Sequence, residues 1–155
     1  MSEIKAFWTV VVCIMLLFST SGLAISDFQR HELEGKFGAS VLKLSWSEPR
    51  RLEGAVEGGG IRHADCSWTF SEDFNSIKVT TKVAGISSSY LLKREGNAYR
   101  GVSPSAFGMG QPVKVCIYPD KITGRVGLDK LDITIEPSLE SGEIPNLDWI
   151  FEEEG

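Results

Sequence analysis

The residues best suited to catalysis by type and spacing are His63, Asp65 and Ser67, which alternate along one short segment. Alternate residues of a β-strand project from the same face, roughly 7 Å apart, whereas a Ser-His-Asp triad needs each neighbouring pair within about 3 Å. The chain also lacks the Gly-x-Ser-x-Gly turn that carries the nucleophile of α/β-hydrolases. We therefore expect a polar outer face here. A pH-sensitive His63–Asp65 pair and a hydrolase that uses these two residues are the alternatives.

Metal and cofactor chemistry has little support in the sequence. The two histidines, His31 and His63, lie far apart, whereas a zinc site needs three or four ligands at chelating spacing. The glycine run 58–60 lacks the Gly-Lys-Ser/Thr of a phosphate loop. Adjacent carboxylates such as Glu72 and Asp73 suit a surface turn better than the paired acids of a glycosidase. We predict no metal, no cofactor and no enzymatic activity.

One glycine-containing stretch, Ser103 to Pro112, is better suited to binding. It is rich in small residues and carries two apolar side chains, Phe107 and Met109. The stretch is either a binding loop at the mouth of a barrel or a plain connection between strands.

The C-terminal part of the chain is acidic. Residues 131–155 hold eight Asp and Glu and no Lys or Arg, whereas residues 25–130 hold 15 basic and 12 acidic residues. The segment after Pro137 also contains large apolar side chains, among them Trp149 and Phe151. These residues either anchor a partner, steered by the acidic groups towards a basic surface, or fold back to cover the core of their own domain.

Residues 1–24 have the pattern of a secretory signal peptide. Lys5 precedes an apolar run from Ala6 to Phe18, and Gly22-Leu23-Ala24 forms a possible cleavage site. The run is shorter than the about 20 residues of a transmembrane helix, so cleavage and a secreted or periplasmic location are expected. An uncleaved N-terminal anchor is the alternative.

Two cysteines, Cys66 and Cys116, follow the signal segment. An even pair in an oxidising compartment favours a disulfide, which here would close a loop of about 50 residues and stabilise the fold by roughly 4 kcal/mol. We predict a Cys66–Cys116 disulfide.

The dominant pattern of the remaining chain is an alternation of apolar and polar residues. Ile77, Val79 and Val83, for example, alternate with Lys78 and Lys82, which is typical of a strand with one buried face. Turn residues separate the runs, and strands are predicted near 37–46, 51–57, 60–70, 75–84, 88–95, 97–102, 112–118, 122–128 and 130–136. The segment 27–34 is predicted to form one or two helical turns.

These strands predict an all-β domain over residues 25–137, followed by an acidic tail over 138–155. Short strands must protect their edges, and a closed barrel does so completely. We predict a small antiparallel meander barrel of about eight strands, with a two-sheet β-sandwich as the alternative.

The net charge of −5 argues against a nucleic-acid partner. The sequence instead favours an exported, non-catalytic domain that binds a protein or an envelope component, through Phe107, Met109, Trp149 and Phe151. The alternative is a calycin-like carrier of a small apolar ligand. Its cavity would be lined by three residues on inferred inward faces, Trp46, Trp68 and Phe70. We predict no stable membrane span after cleavage and leave the oligomeric state open.

Overall fold

The computed structural model describes residues 28–104 and 110–152. Ten strands and one short 3₁₀ helix make up this part of the chain. The strands are β1 (His31–Phe37), β2 (Ser40–Glu48), β3 (Arg51–Gly58), β4 (Ile61–Phe70), β5 (Ser76–Val83), β6 (Ile86–Glu95), β7 (Ala98–Ser103), β8 (Gln111–Ile117), β9 (Lys121–Val126) and β10 (Asp129–Glu136); the 3₁₀ helix covers Pro145–Phe151.

The strands form a closed barrel in which each strand pairs antiparallel with its neighbours in the chain. The first and last strands close the barrel, with Glu32 opposite Glu136 and Phe37 opposite Leu131. The predicted all-β barrel is therefore confirmed, and the sandwich alternative is excluded because the sheet has no free edge strand. The barrel has ten strands, whereas about eight were expected for the barrel and nine segments were predicted as strands.

The missing strand in the sequence prediction is β1, which lies where helical turns were expected. Strand β1 has four inward positions, and only two of them carry large apolar side chains, Leu33 and Phe37. His31 and Gly35 occupy the other two. A Cβ atom at Gly35 would lie 2.5 Å from the Cα atom of Ile133 on the neighbouring strand, so glycine permits the close approach of the two strands. A buried histidine and a glycine thus concealed the two-residue period.

The alternation predicted for the other strands is confirmed by burial. On β2, for instance, Leu42, Leu44 and Trp46 are buried, while Lys43 is exposed. The inward side chains form one continuous core that runs along the barrel interior.

After β10 the chain folds back over one end of the barrel. Leu139, Ile144 and Leu147 are buried there, and Trp149 and Phe151 pack against the core. The apolar side chains of the acidic segment are thus satisfied within the chain. Within the described residues, no helix has the length and apolar character needed to cross a membrane.

The predicted disulfide is absent, since Cys66 and Cys116 are both free thiols. Cys66 lies on β4 and faces the interior with Ala64 and Trp68, whereas Cys116 lies on β8 and faces outward between the buried Val115 and Ile117. Three strands separate β4 from β8 around the barrel. The even number of cysteines in the sequence could not reveal that the two thiols lie on opposite sides of the wall.

Two further predictions fall on residues outside the described part of the chain. These are the signal peptide over residues 1–24 and the binding loop with Phe107 and Met109.

Candidate functional site

The barrel interior contains a cavity of about 230 Å³ at the end opposite the C-terminal segment. It is formed by the ends of the strands next to the turns at residues 38–39, 59–60, 84–85 and 127–128. The lining residues are Phe37, Leu42, Val56, Ala64, Cys66, Trp68, Val79, Thr81, Val83, Tyr90, Leu92, Val113, Val115, Val126 and Leu131.

The size of the inward side chains explains why only one end of the barrel is hollow. A ten-stranded barrel is wider than the eight-stranded barrels whose interiors side chains just fill. At the hollow end β4 contributes Ala64 and Cys66, and many other lining residues are valines. The opposite end is filled by larger side chains, among them Trp46, Phe70 and Tyr99.

The cavity is almost entirely apolar, with four polar side-chain groups. These belong to Cys66, Trp68, Thr81 and Tyr90, and none of the lining residues carries an ionised group at neutral pH. Burial raises the pKa of the Cys66 thiol to about 11 and that of the Tyr90 hydroxyl to about 12. Both groups are therefore neutral hydrogen-bond partners at pH 7, and the cavity suits an uncharged molecule or the uncharged part of one.

The barrel wall beside the cavity is incomplete between β6 and β7. The β6–β7 pairing covers only Leu92 to Glu95 of β6, whereas β5 pairs with β6 from Ile86 to Lys93. Within the described residues, Ile86 to Leu91 thus has no strand partner on the β7 side. Among the described residues, which do not include 105–109 after β7, this leaves an opening from the side of the barrel towards the cavity.

Two apolar side chains on the inner face of β5 and β6 are exposed near this point. Val83 lies directly opposite Ile86, and Thr81 opposite Ser88, so all four share the face on which Val79 lines the cavity. Ile86 is nevertheless 76% exposed and Val83 37% exposed. Both residues flank the β5–β6 turn, so their exposure places them at the rim of the hollow end.

The opposite end is closed by an aromatic cluster. Trp46 stacks on Phe70 with ring centroids 5.8 Å apart, and Phe70 contacts Phe74 at 4.8 Å and Tyr99 at 5.9 Å. The Tyr99 hydroxyl donates a hydrogen bond to the Phe74 carbonyl oxygen at 2.6 Å, and its burial raises the tyrosine's pKa. Of the three predicted cavity residues, only Trp68 lines the cavity; Trp46 and Phe70 belong to this closed end.

The predicted binding residues Trp149 and Phe151 lie at the closed end, far along the barrel from the cavity. The Arg94 guanidinium lies 4.0 Å from the centre of the Trp149 ring, an arrangement that stabilises a cation against an aromatic face. Tyr99 packs against the same ring with centroids 6.0 Å apart. Trp149 therefore has a cationic and an aromatic partner within the chain.

His31 connects the C-terminal segment to the barrel, a structural role that the sequence did not predict. Its side chain is fully buried, with Nδ1 2.5 Å from the Pro137 carbonyl oxygen and Nε2 2.5 Å from Oε2 of Glu143. A carbonyl oxygen only accepts hydrogen bonds, so Nδ1 donates to Pro137, and the second contact joins the imidazole to the Glu143 carboxylate. A lone histidine in the sequence carried no signal of this role.

His63 and Asp65 lie on the outer surface of β4 and form the pair that the sequence left as an alternative. His63 Nε2 is 3.0 Å from Oδ1 of Asp65, closer than the strand spacing alone indicated, and Nδ1 is 3.7 Å from Oε2 of Glu57. The hydrogen bond with Asp65 and the nearby Glu57 charge raise the pKa of His63. Since both ring nitrogens face carboxylates, neither is directed at Ser67, and the arrangement is not that of a Ser-His-Asp triad.

Comparison of the chain with models of protein families, with curated proteins and with solved structures gave no match. Inferences about function therefore depend on the geometry of the barrel.

Proposed function

We propose that this protein binds a small apolar molecule in the barrel cavity and does not catalyse a reaction on it. The observation that carries the proposal is the apolar cavity of about 230 Å³ next to an opening in the wall between β6 and β7. Concave, largely apolar interiors with a few polar groups are typical of small-molecule sites. Contact with another folded protein would bury little of an enclosed surface of this kind.

The volume limits the size of the enclosed part of the ligand. An apolar cavity of about 150 Å³ holds one benzene molecule, so 230 Å³ corresponds by the same scaling to roughly nine non-hydrogen atoms. Short alkyl chains and single ring systems have this size. A charged head group would remain at the mouth, because none of the lining residues is ionised at pH 7 to pair with it.

A ligand series of increasing chain length tests the proposal. Each methylene group transferred into the cavity contributes about 0.8 kcal/mol, or about a fourfold gain in affinity. Isothermal titration of the purified protein with straight-chain alcohols should show this gain up to about nine carbons and then a plateau, because further carbons find no enclosed space. Absence of binding across the series, or affinity that ignores chain length, would refute an apolar cavity site.

A variant within the cavity provides the specific control. Thr81 contributes a small polar side chain to the lining, and Thr81→Glu places a carboxylate in the apolar cavity, where no cation is available to pair with it. Alcohol binding should be lost. Thr80→Glu, on the outer face of the same strand, should bind the alcohols as the wild type does.

The location of the protein remains a proposal as well. We infer export from the N-terminal pattern of residues 1–24 alone. Intact-protein mass measured on material from the native source tests it, since retention of those residues would favour the anchored alternative.

A further inference from the structure

Five basic side chains form a continuous row across half of the barrel surface. Lys93 on β6 lies opposite Arg100 on β7, Arg100 opposite Lys114 on β8, Lys114 opposite Arg125 on β9, and Arg125 opposite Lys130 on β10. All five face outward and are exposed. Neighbouring strands lie about 4.8 Å apart, so the row extends over about 19 Å along the curved wall. We call these five residues the basic row.

The basic row does not stabilise the barrel. Like charges directly opposite each other on neighbouring strands are destabilising, and the row contains four such pairs. Arg100 has one weak acidic partner, Glu95, with Nε and Oε2 3.7 Å apart. Within residues 28–104 and 110–152, none of the ion pairs involves the other four members. The concentration of charge therefore favours an anionic partner from outside the fold.

A row of exposed apolar side chains runs beside the basic row, on the side of the cavity mouth. Val102 on β7 is 61% exposed and lies opposite the exposed Pro112 on β8. Leu128, in the turn after β9, is 95% exposed. Leu91, 49% exposed, extends the row on β6. These residues lie beside the same opening between β6 and β7 that leads to the cavity.

We propose that the outer face of β7–β9 docks on a lipid bilayer that contains anionic phospholipids. Arg100, Lys114 and Arg125 would contact lipid phosphates, and Val102 and Leu128 would enter the boundary between head groups and acyl chains. Basic residues beside exposed apolar residues are the combination that binds anionic membrane interfaces. An acidic polypeptide would match the charges but would leave the apolar row uncovered. Docking would also place the wall opening against the source of apolar molecules.

The chain's own acidic end is the competing anion. Glu152 lines the same surface depression as Arg100 and Lys114, and two more glutamates follow it in the sequence. If these residues neutralise the basic row, the intact protein has no docking surface. The test therefore includes a variant that ends at Phe151.

Co-sedimentation with lipid vesicles tests the proposal on the purified full chain. The protein should bind vesicles of phosphatidylcholine mixed with phosphatidylglycerol more strongly than vesicles of phosphatidylcholine alone. Each basic residue near an anionic surface contributes about a fivefold gain in binding. A triple variant with Arg100→Gln, Lys114→Gln and Arg125→Gln should therefore bind about a hundredfold more weakly.

A matched triple variant controls for total charge. Lys36→Gln, Lys43→Gln and Arg51→Gln remove the same charge from exposed positions on β1–β3, on the other side of the barrel, and should leave vesicle binding unchanged. Because both triple variants keep the N-terminal apolar run, any binding through that run is the same in each. Urea unfolding should show that the Arg100/Lys114/Arg125 variant is at least as stable as the wild type, since it removes like-charge pairs.

The apolar row has its own variant. Val102→Ser with Leu128→Ser should weaken vesicle binding and leave its dependence on salt unchanged, because the charges remain. Equal binding by the two triple variants, or no preference for anionic vesicles, would overturn the proposal. It would also fail if vesicle binding appeared only in the variant that ends at Phe151, or if polyglutamate bound the basic row while vesicles did not.

The proposal goes beyond ligand binding in the cavity and does not depend on it. A variant with a filled cavity retains the basic and apolar rows and should bind vesicles as the wild type does. Loss of ligand binding and loss of membrane binding are therefore separable results.

Discussion

Replacement of Ala64 by phenylalanine should fill the cavity and stabilise the protein, unlike most enlargements of a buried residue. Ala64 is 2% exposed and lines the hollow end of the barrel. In a fully packed core, added carbon atoms force neighbouring side chains out of their rotamers and cost about 1–3 kcal/mol. Here the phenyl group has space to occupy, so the direction of the effect distinguishes a real cavity from a packed interior.

The size of the effect follows from the cavity volume. Unfilled apolar volume costs about 24 cal/mol per Å³, so the 230 Å³ cavity corresponds to about 5.5 kcal/mol on that scale. A phenyl group that fills about 100 Å³ would recover up to about 2 kcal/mol, less up to about 1 kcal/mol of lost side-chain entropy. We expect a net gain of about 1 kcal/mol, or about 4 °C in Tm, together with the loss of alcohol binding.

Thermal and urea unfolding measure the stability, and isothermal titration measures the binding. The matched control is Ala55→Phe on β3, next to Ala64 across the β3–β4 pair but on the outer face, where Ala55 lies opposite Asp65. The control should leave alcohol binding intact and change stability by less than about 0.5 kcal/mol. A loss of more than 1 kcal/mol for Ala64→Phe, with binding retained, would show that the interior is packed and that the cavity assignment is wrong.

Two further predictions concern the buried thiol and the connection of the C-terminal segment. Burial raises the pKa of Cys66 to about 11 from 9.0, and only the thiolate reacts with an alkylating agent. At pH 8 the alkylation of Cys66 should therefore be about a hundredfold slower in the folded protein than in urea. In the folded protein the rate should rise about tenfold per pH unit up to pH 10. Peptide mapping after iodoacetamide distinguishes it from Cys116, and equal rates in folded and unfolded protein would contradict the burial. His31→Ala leaves the Glu143 carboxylate, 13% exposed, without its partner and should destabilise the fold by about 3 kcal/mol in urea unfolding. Glu143→Gln keeps a hydrogen bond to the ring and should cost less than about 1.5 kcal/mol, so a loss equal to that of His31→Ala would contradict a contact in which the hydrogen bond suffices.

The sequence alone predicted nine of the ten strands and favoured a closed barrel over a two-sheet sandwich. This was possible because local patterns carry that information: an apolar side chain on every second residue, with glycine, proline or asparagine between the runs. It failed at β1, where a histidine and a glycine occupy inward positions. The contacts of His31 with the C-terminal segment can be identified only in the tertiary structure, because the two are far apart in the sequence.

The position of a residue around the barrel was beyond sequence reasoning. Whether Cys66 and Cys116 can meet depends on the number of strands between them and on which side of the wall each one faces. A pairing rule based on the number of cysteines contains neither quantity.

The amino-acid sequence by itself determined the strands and which side of each strand is buried. Only the tertiary structure decided where the interior is hollow, where the wall opens and which charges lie side by side. Lys93 and Lys130 are far apart in the chain, yet strand register places them in one row with three other cations. The physical reason is that periodicity is a property of neighbouring residues, whereas cavity volume and surface charge depend on the register of strands brought together by the closure of the barrel.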